Sequence, residues 1–207
     1  MTHNDDPEKE LIESSVRYLE ETVDLFKSAS KPKMESWIAN EFLSNLGVSF
    51  SEAELISSAK EPPDIVFREA SFEIKRKYDR EPDGEFKKLL KKARSAEKAG
   101  DLFEVYSPTD ITYTEISQLI ECEIEKPSEK YSSEVKQQID LLFYIELFHS
   151  RPYVKTPLQS SKKIAESGFR SVSFVVGPLS GVLYVTKEAP EFLYSGGVRV
   201  VRRKSDP

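Results

Sequence analysis

Apolar residues recur along this chain in two periods. Between Glu8 and Phe26, Ile12, Val16, Leu19, Val23 and Phe26 fall three or four apart, the spacing of one face of an α-helix. A second stripe, Met34, Ile38, Ala39, Phe42, Leu43 and Leu46, predicts a helix over 34–46, and Ser28 to Pro32 links the two. From Glu85 a third helical pattern sets Phe86, Leu89, Leu90 and Ala93 on one face, with Lys87, Lys88, Lys91, Arg94 and Lys98 opposite. Residues 114–124 are helical by spacing, and Pro127 is expected to break or kink that helix before 132–138 resume it. A helix over 160–167 ends at Gly168.

Alternation of period two marks the strands. Ile65 to Phe67 and the run around Phe72 to Lys75 form a predicted hairpin, while Leu141 to Leu147 is apolar on both sides, as a strand buried on both faces requires. Val172–Val176 and Gly181–Thr186 flank Gly177-Pro178-Leu179-Ser180, read as a hairpin turn. Leu102 to Tyr106 is a short strand or an extended connection. Helices interleaved with strands in this order predict an α/β fold with a mixed sheet flanked by helices, preceded by an added N-terminal helix.

The hairpin carries the candidate chemistry. In Pro63-Asp64-Ile-Val-Phe-Arg-Glu-Ala-Ser-Phe-Glu73-Ile74-Lys75, alternation puts Glu73 and Lys75 on one face and Phe72 and Ile74 on the other. A loop with an even residue count would bring Asp64 opposite Glu73 or Lys75. Arg68-Glu69 lacks the Gly or Asn of a tight primed turn, so a longer loop or a bulge is expected. Two carboxylates at a strand mouth suit a hard cation such as Mg²⁺ or Mn²⁺, and a lysine beside it can orient water or offset charge building on a phosphodiester. A solvated hairpin with paired surface charges would carry the same residues. Glu35 falls inside the apolar stripe of the second helix. Either it faces inward, where a carboxylate needs a partner or a metal, or it sits in the first turn and escapes to solvent.

Composition narrows the classes. The 207 residues carry a net charge of −6, with one cysteine and two histidines. Cys122 has no partner for an internal disulfide or a zinc site and reads as a small buried hydrophobe; a histidine-rich metal site is excluded. Chemistry here falls to carboxylates and lysine. No apolar run has membrane-spanning length, and the polar, acidic start lacks the pattern of a secretory signal, so the expected location is the cytoplasm. An acidic chain is an unusual nucleic-acid binder, yet bases concentrate between Lys75 and Lys98. Lys77, Lys87, Lys88, Lys91 and Arg94 could track a phosphate backbone, or simply solvate a surface helix. Tyr78 and Tyr131 could stack on bases or pack ordinarily, and Asp140 and Glu146 are expected to satisfy strand ends or pair with nearby bases.

With Pro63-Asp64 and Glu73-Ile74-Lys75 in place, the chain resembles the PD-(D/E)XK, restriction-endonuclease-like nuclease superfamily. Glu61-Pro62-Pro63-Asp64, Ile139 to Leu147, Gly168 to Pro178, Val182-Leu183-Tyr184 and Ala189 to Phe192 extend a resemblance to a bacterial group described as "putative endonucleases", the domain-of-unknown-function family 1780. The resemblance implies a restriction-endonuclease-like core and metal-dependent hydrolysis of phosphodiesters, with DNA as substrate. It implies Asp64 and Glu73 as Mg²⁺ ligands, the Ile74 carbonyl completing the set, Lys75 as the catalytic lysine and Glu35 as the helix acid. The alternative is a catalytically inactive module of the same fold that binds nucleic acid or a protein partner. The expected organisation is a tail and helix over 1–30, one nuclease-like domain over 31–198, and a basic tail over 199–207. A homodimer is compatible with cutting both strands.

Overall fold

The computed structural model describes residues 6–25, 30–78, 85–102, 109–147, 150–153, 158 and 161–203. The chain divides into two compact units, residues 1–34 with 81–107 and residues 35–80 with 108–207. Helices α1 (Pro7–Leu25) and α2 (Lys31–Asn45) come first, and α3 (Glu85–Arg94) follows the first three strands. In the first unit α1 packs along α3, tied by Arg94 to Glu20 at 2.6 Å. Ala93 is buried there, whereas no residue of α1 is fully buried. The predicted spacing over 8–26 and 85–94 thus forms helices, with Phe26 outside the described residues. The expected extended segment at 102–106 lies almost wholly outside them too.

The second unit is built on a seven-stranded mixed sheet. Its order is β1 (Ile56–Ser57), β2 (Ile65–Phe67), β3 (Ala70–Tyr78), β5 (Asp140–Glu146), β7 (Ser171–Val176), β8 (Leu179–Val185), β9 (Arg199–Arg202), while β4 (Thr109–Thr112) and β6 (Ser150–Tyr153) pair separately. Strands β3, β5 and β7 are parallel neighbours; the outer pairs are antiparallel. The helices here, after α2, are α4 (Tyr113–Glu123), α5 (Glu125–Lys130), α6 (Ser133–Lys136), α7 (Lys162–Ala165) and α8 (Glu191–Tyr194). Among the described residues no helix is long and apolar enough to cross a membrane.

Alternation along the central strands separates two buried faces. On one, Phe72 meets Phe42 of α2 edge to face at 5.8 Å, and Tyr144 meets Trp37 at 5.5 Å. On the other, Leu141, Phe143, Ile145, Val172, Phe174 and Val176 pack with Ile116 and Ile120 of α4. Thr112 and Glu115 form a reciprocal cap that starts α4. The buried positions Ile116, Ile120, Ile124, Pro127 and Tyr131 then recur three or four apart through α4 and α5.

Several local expectations are corrected. The chain breaks at Ile124, and Pro127 lies in the first turn of α5, where an amide proton has no intrahelical acceptor to lose. The β7–β8 turn is only Gly177-Pro178, because Leu179 and Ser180 already pair with Val176 and Val175. Cys122 is exposed, since α4 buries Tyr113, Ile116, Ser117 and Ile120 instead. Arg199 and Arg202, expected in a basic tail, belong to edge strand β9, which pairs with β8.

Candidate functional site

The β2–β3 hairpin closes through a two-residue turn, Arg68-Glu69, with Phe67 paired to Ala70. Arg68 takes φ +50°, a left-handed conformation that usually calls for glycine. Its side chain explains the tolerance. The guanidinium bonds Glu54 at 2.8 Å and the Ser49 carbonyl at 2.9 Å, and lies 4.7 Å from the Phe67 ring centroid. The longer loop expected from the missing glycine is therefore not formed.

Counting down this even register brings Asp64 to Glu73. Asp64 also leaves the ladder: its N–H donates to the Phe72 carbonyl at 2.9 Å, and its carboxylate accepts from the Ile74 N–H at 2.8 Å. In a strand the N–H and C=O of one residue project from the same edge, so the Ile74 carbonyl shares the edge occupied by Asp64. The residues leading into Asp64 along that edge, Pro62 and Pro63, have no N–H to offer it.

Glu73 is 2% exposed and projects to the opposite face from Phe72. One of its carboxylate oxygens, Oε1, accepts from Lys75 Nζ at 2.6 Å and from the Tyr131 hydroxyl at 2.6 Å. The other, Oε2, is buried without a hydrogen-bond partner. Burial pushes the Tyr131 phenol well above its ordinary pKa, reinforced by Glu73 and by the charges of Asp64 and Glu61. Tyr131 is thus a fixed donor that holds the carboxylate from below while Lys75 holds it from the strand. The sequence offered Tyr131 as a residue for base stacking or ordinary packing, not as a partner of Glu73. Its place in the apolar recurrence of α4 and α5, seven residues after Ile124, was the signal that aimed it at the sheet.

The lysine is only partly covered, with a side chain 31% exposed. It lines a cavity of about 170 Å³ together with Arg76, Glu123, Lys126, Pro127, Lys130 and Phe143. Lys77 does not face open solvent; it pairs with Glu123 at 2.7 Å, and Glu123 also accepts from Lys126 at 2.9 Å. These bonds, that from Lys77 first, hold the Glu123 carboxyl below its usual range. Lys87, Lys88, Lys91 and Arg94 lie on α3 in the other unit.

Glu35 is buried in α2. That helix covers the Phe72–Tyr144 face, whereas Glu73 and Lys75 project from the other. Among the described residues no three Asp, Glu, His or Cys gather closely enough to hold a metal by themselves. A hard ion here would rest on Asp64, Glu73 and the Ile74 carbonyl. That donor set suits Mg²⁺, which keeps several waters and takes one or two carboxylates beside substrate oxygens. The orphaned Glu73 Oε2 is the atom such an ion would satisfy.

The remaining flagged acids act structurally. Asp140, 1% exposed, accepts from the Ser71 N–H at 3.0 Å, the Ser171 hydroxyl at 2.8 Å and Arg170, joining β3, β5 and β7. Glu146 pairs with Arg76 at 3.4 Å, and the Arg76 guanidinium lies 5.2 Å from the Tyr78 ring centroid.

Fold and site together define a mixed-sheet α/β protein with an acid, a second acid and a lysine on one hairpin. The model of the family described as "putative endonuclease, protein of unknown function (DUF1780)" matches residues 7–206, and the chain belongs to that family. A solved Pseudomonas aeruginosa protein of unknown function, described as of the monooxygenase superfamily, is similar over 93% of this chain and 94% of its own, with TM-score 0.68 and 23% identity. That likeness speaks for the fold alone. No curated protein matches the chain.

Proposed function

We infer that the protein is a metal-dependent endonuclease of the restriction-endonuclease-like kind, hydrolysing phosphodiester bonds of DNA in the cytoplasm. The observation that supports this most is the convergence at Glu73. Hairpin register brings Asp64 to it, Lys75 and Tyr131 engage one oxygen, and the other oxygen is buried with no partner.

In this reading Asp64, Glu73 and the Ile74 carbonyl hold Mg²⁺ or Mn²⁺. The ion, when bound, would polarise the phosphodiester and lower the pKa of a bound water. Asp64 stays anchored to the strand through the Ile74 N–H. Tyr131 and Lys75 fix the Glu73 carboxylate, which limits its rotamers and keeps Oε2 aimed away from them. Lys75, which lines the cavity, would orient the attacking water and offset negative charge growing on the phosphorus oxygens in the transition state. Two such chains would supply a site for each strand.

A second reading also has an observation in its favour. Lys75 closed on Glu73 and Asp64 bonded to the strand are the pairings a non-catalytic nucleic-acid-binding or protein-binding module would keep. Cleavage of labelled DNA and RNA substrates with Mg²⁺ or Mn²⁺ separates the two. Asp64→Asn, Glu73→Gln and Lys75→Ala should each lower the rate about 100-fold or more. Asp64→Asn retains an acceptor for Ile74, so its loss is not a loss of fold. Glu35→Gln should cleave normally if the helix acid stands outside the ion-binding pair. Absence of metal-dependent cleavage by the wild type, or its survival in all three variants, overturns the nuclease reading.

A further inference from the structure

We propose that the cavity beside Lys75, edged by Lys126 and Lys130 of α5, is a docking site for a backbone phosphate of the nucleic acid. The proposal rests on the nuclease reading for its partner, and it places the electrostatic footprint on the site-bearing unit itself.

The charge balance around the cavity is the first argument. Lys75, Arg76, Lys126 and Lys130 line it against a single acid, Glu123, in a chain whose net charge is −6, although Lys75 and Arg76 also pair with Glu73 and Glu146. Of the two acids on α5, Glu125 and Glu129, Glu125 is drawn off to Lys163 at 2.6 Å. Lys126 and Lys130 stand one helical turn apart, a spacing at which like charges repel. An anion between them would relieve that repulsion. A single phosphate matches an opening of about 170 Å³, which is too small for a base pair.

The second argument is continuity. Lys75 belongs to both places, lining the cavity and donating to Glu73. Lys130 lies 4.8 Å from the ring centroid of Tyr131, whose hydroxyl holds the same carboxylate. A phosphate in the cavity is therefore a neighbour of the one to be cut, and its occupancy fixes the register of the strand on the site. Pro127 and Phe143 add apolar surface to the lining beside the lysines.

Binding without metal tests the site separately from catalysis. Labelled duplex DNA, single-stranded DNA and duplex RNA would be titrated with the full chain in a chelator over a range of salt. Lys126→Ala/Lys130→Ala is expected to weaken binding about tenfold at moderate salt and to flatten the slope of log affinity against log salt by about 1–2, as the loss of two phosphate contacts requires. Lys126→Arg/Lys130→Arg should restore both, which a merely structural role for the lysines would not predict. The three ligands identify which backbone the cavity prefers. Equal affinity and slope for wild type and the double alanine variant, or no binding by the wild type to any of the three, overturns the proposal. Binding that behaves as expected in a protein that never cleaves would leave the docking site standing and remove the nuclease reading instead.

Discussion

Tyr131 is the residue whose role was least visible in advance, and it offers the sharpest single-atom test. Its hydroxyl is one of two donors on Glu73 Oε1. Tyr131→Phe removes that donor and leaves the ring in place, so a carboxylate 2% exposed loses a hydrogen bond of the charged kind, worth about 1.5–3 kcal/mol. Chemical denaturation should show that loss, and cleavage should fall with it if Glu73 placement matters to the reaction. The pH dependence has a definite sign. The phenol's pKa is raised in the folded protein, chiefly by burial, from an ordinary 10.0. Above the unfolded value the unfolded chain gives up this proton while the folded one keeps it, so stability is full below about pH 10 and declines as pH rises past it. The wild type should therefore lose more stability than Tyr131→Phe between about pH 9.5 and 11, read from paired thermal melts. Glu73 and Lys75 were legible on one face from the alternation of one short segment, whereas the place of Asp64 waited on the register of the turn. Tyr131 lies 58 residues from its partner, and nothing in local periodicity says which strand residue a helix will meet.

Elements follow the sequence where the pattern is long and depart from it at turns. The helix over 114–124 and the doubly buried β5 appear within one residue of their predicted limits, the first helix begins one residue early, and the helix expected over 34–46 begins three residues early at Lys31. Arg68-Glu69 defeats turn chemistry because contacts from Glu54 and Ser49, distant in sequence, and from the adjoining Phe67 ring stabilise a backbone conformation that local preference disfavours. Gly181 shows the converse, a glycine demanded by packing. It pairs across the β7–β8 hairpin with Phe174, and a Cβ there would stand 2.1 Å from the ring. Phe174 is fully buried and cannot swing away. Gly181→Ala should thus cost about 1–3 kcal/mol by overpacking, measured as a lower denaturation midpoint with an unchanged slope. Arg170→Ala acts on the same sheet through charge. It strands Asp140, which joins the starts of β3, β5 and β7, and should cost about 3–5 kcal/mol, as unpairing a buried ion does. A midpoint equal to the wild type would show that Ser71 and Ser171 suffice to hold that carboxylate.

For the molecule as a whole, the two units change what the charge pattern means. Read as a linear string, Lys75 to Lys98 is one basic run leaving the site. In the structure it is divided: Lys75 and Lys77 belong to the sheet-bearing unit, while Lys87, Lys88, Lys91 and Arg94 ride on α3 in the other. Sequence adjacency cannot convey such a division, because it arises when α1 and α3 find one another across some sixty residues. It also gives the metal expectation a test that needs no substrate. An ion that binds the folded site and not the unfolded chain stabilises by mass action, about 2.7 kcal/mol when its free concentration is a hundred times its dissociation constant. For a chain of 207 residues that corresponds to a rise of roughly 5–10 °C in Tm. Because the proposed ligands Asp64, Glu73 and Ile74 all lie in the second unit, only the transition of that unit should move if the units melt separately. Calorimetry with Mn²⁺ and with chelator is the measurement, and Glu73→Gln should abolish the rise by removing the charge that draws the ion. A wild-type melt that does not move at millimolar Mn²⁺ would mean that Lys75 and Tyr131 already satisfy Glu73, and the site would then be a closed ion pair.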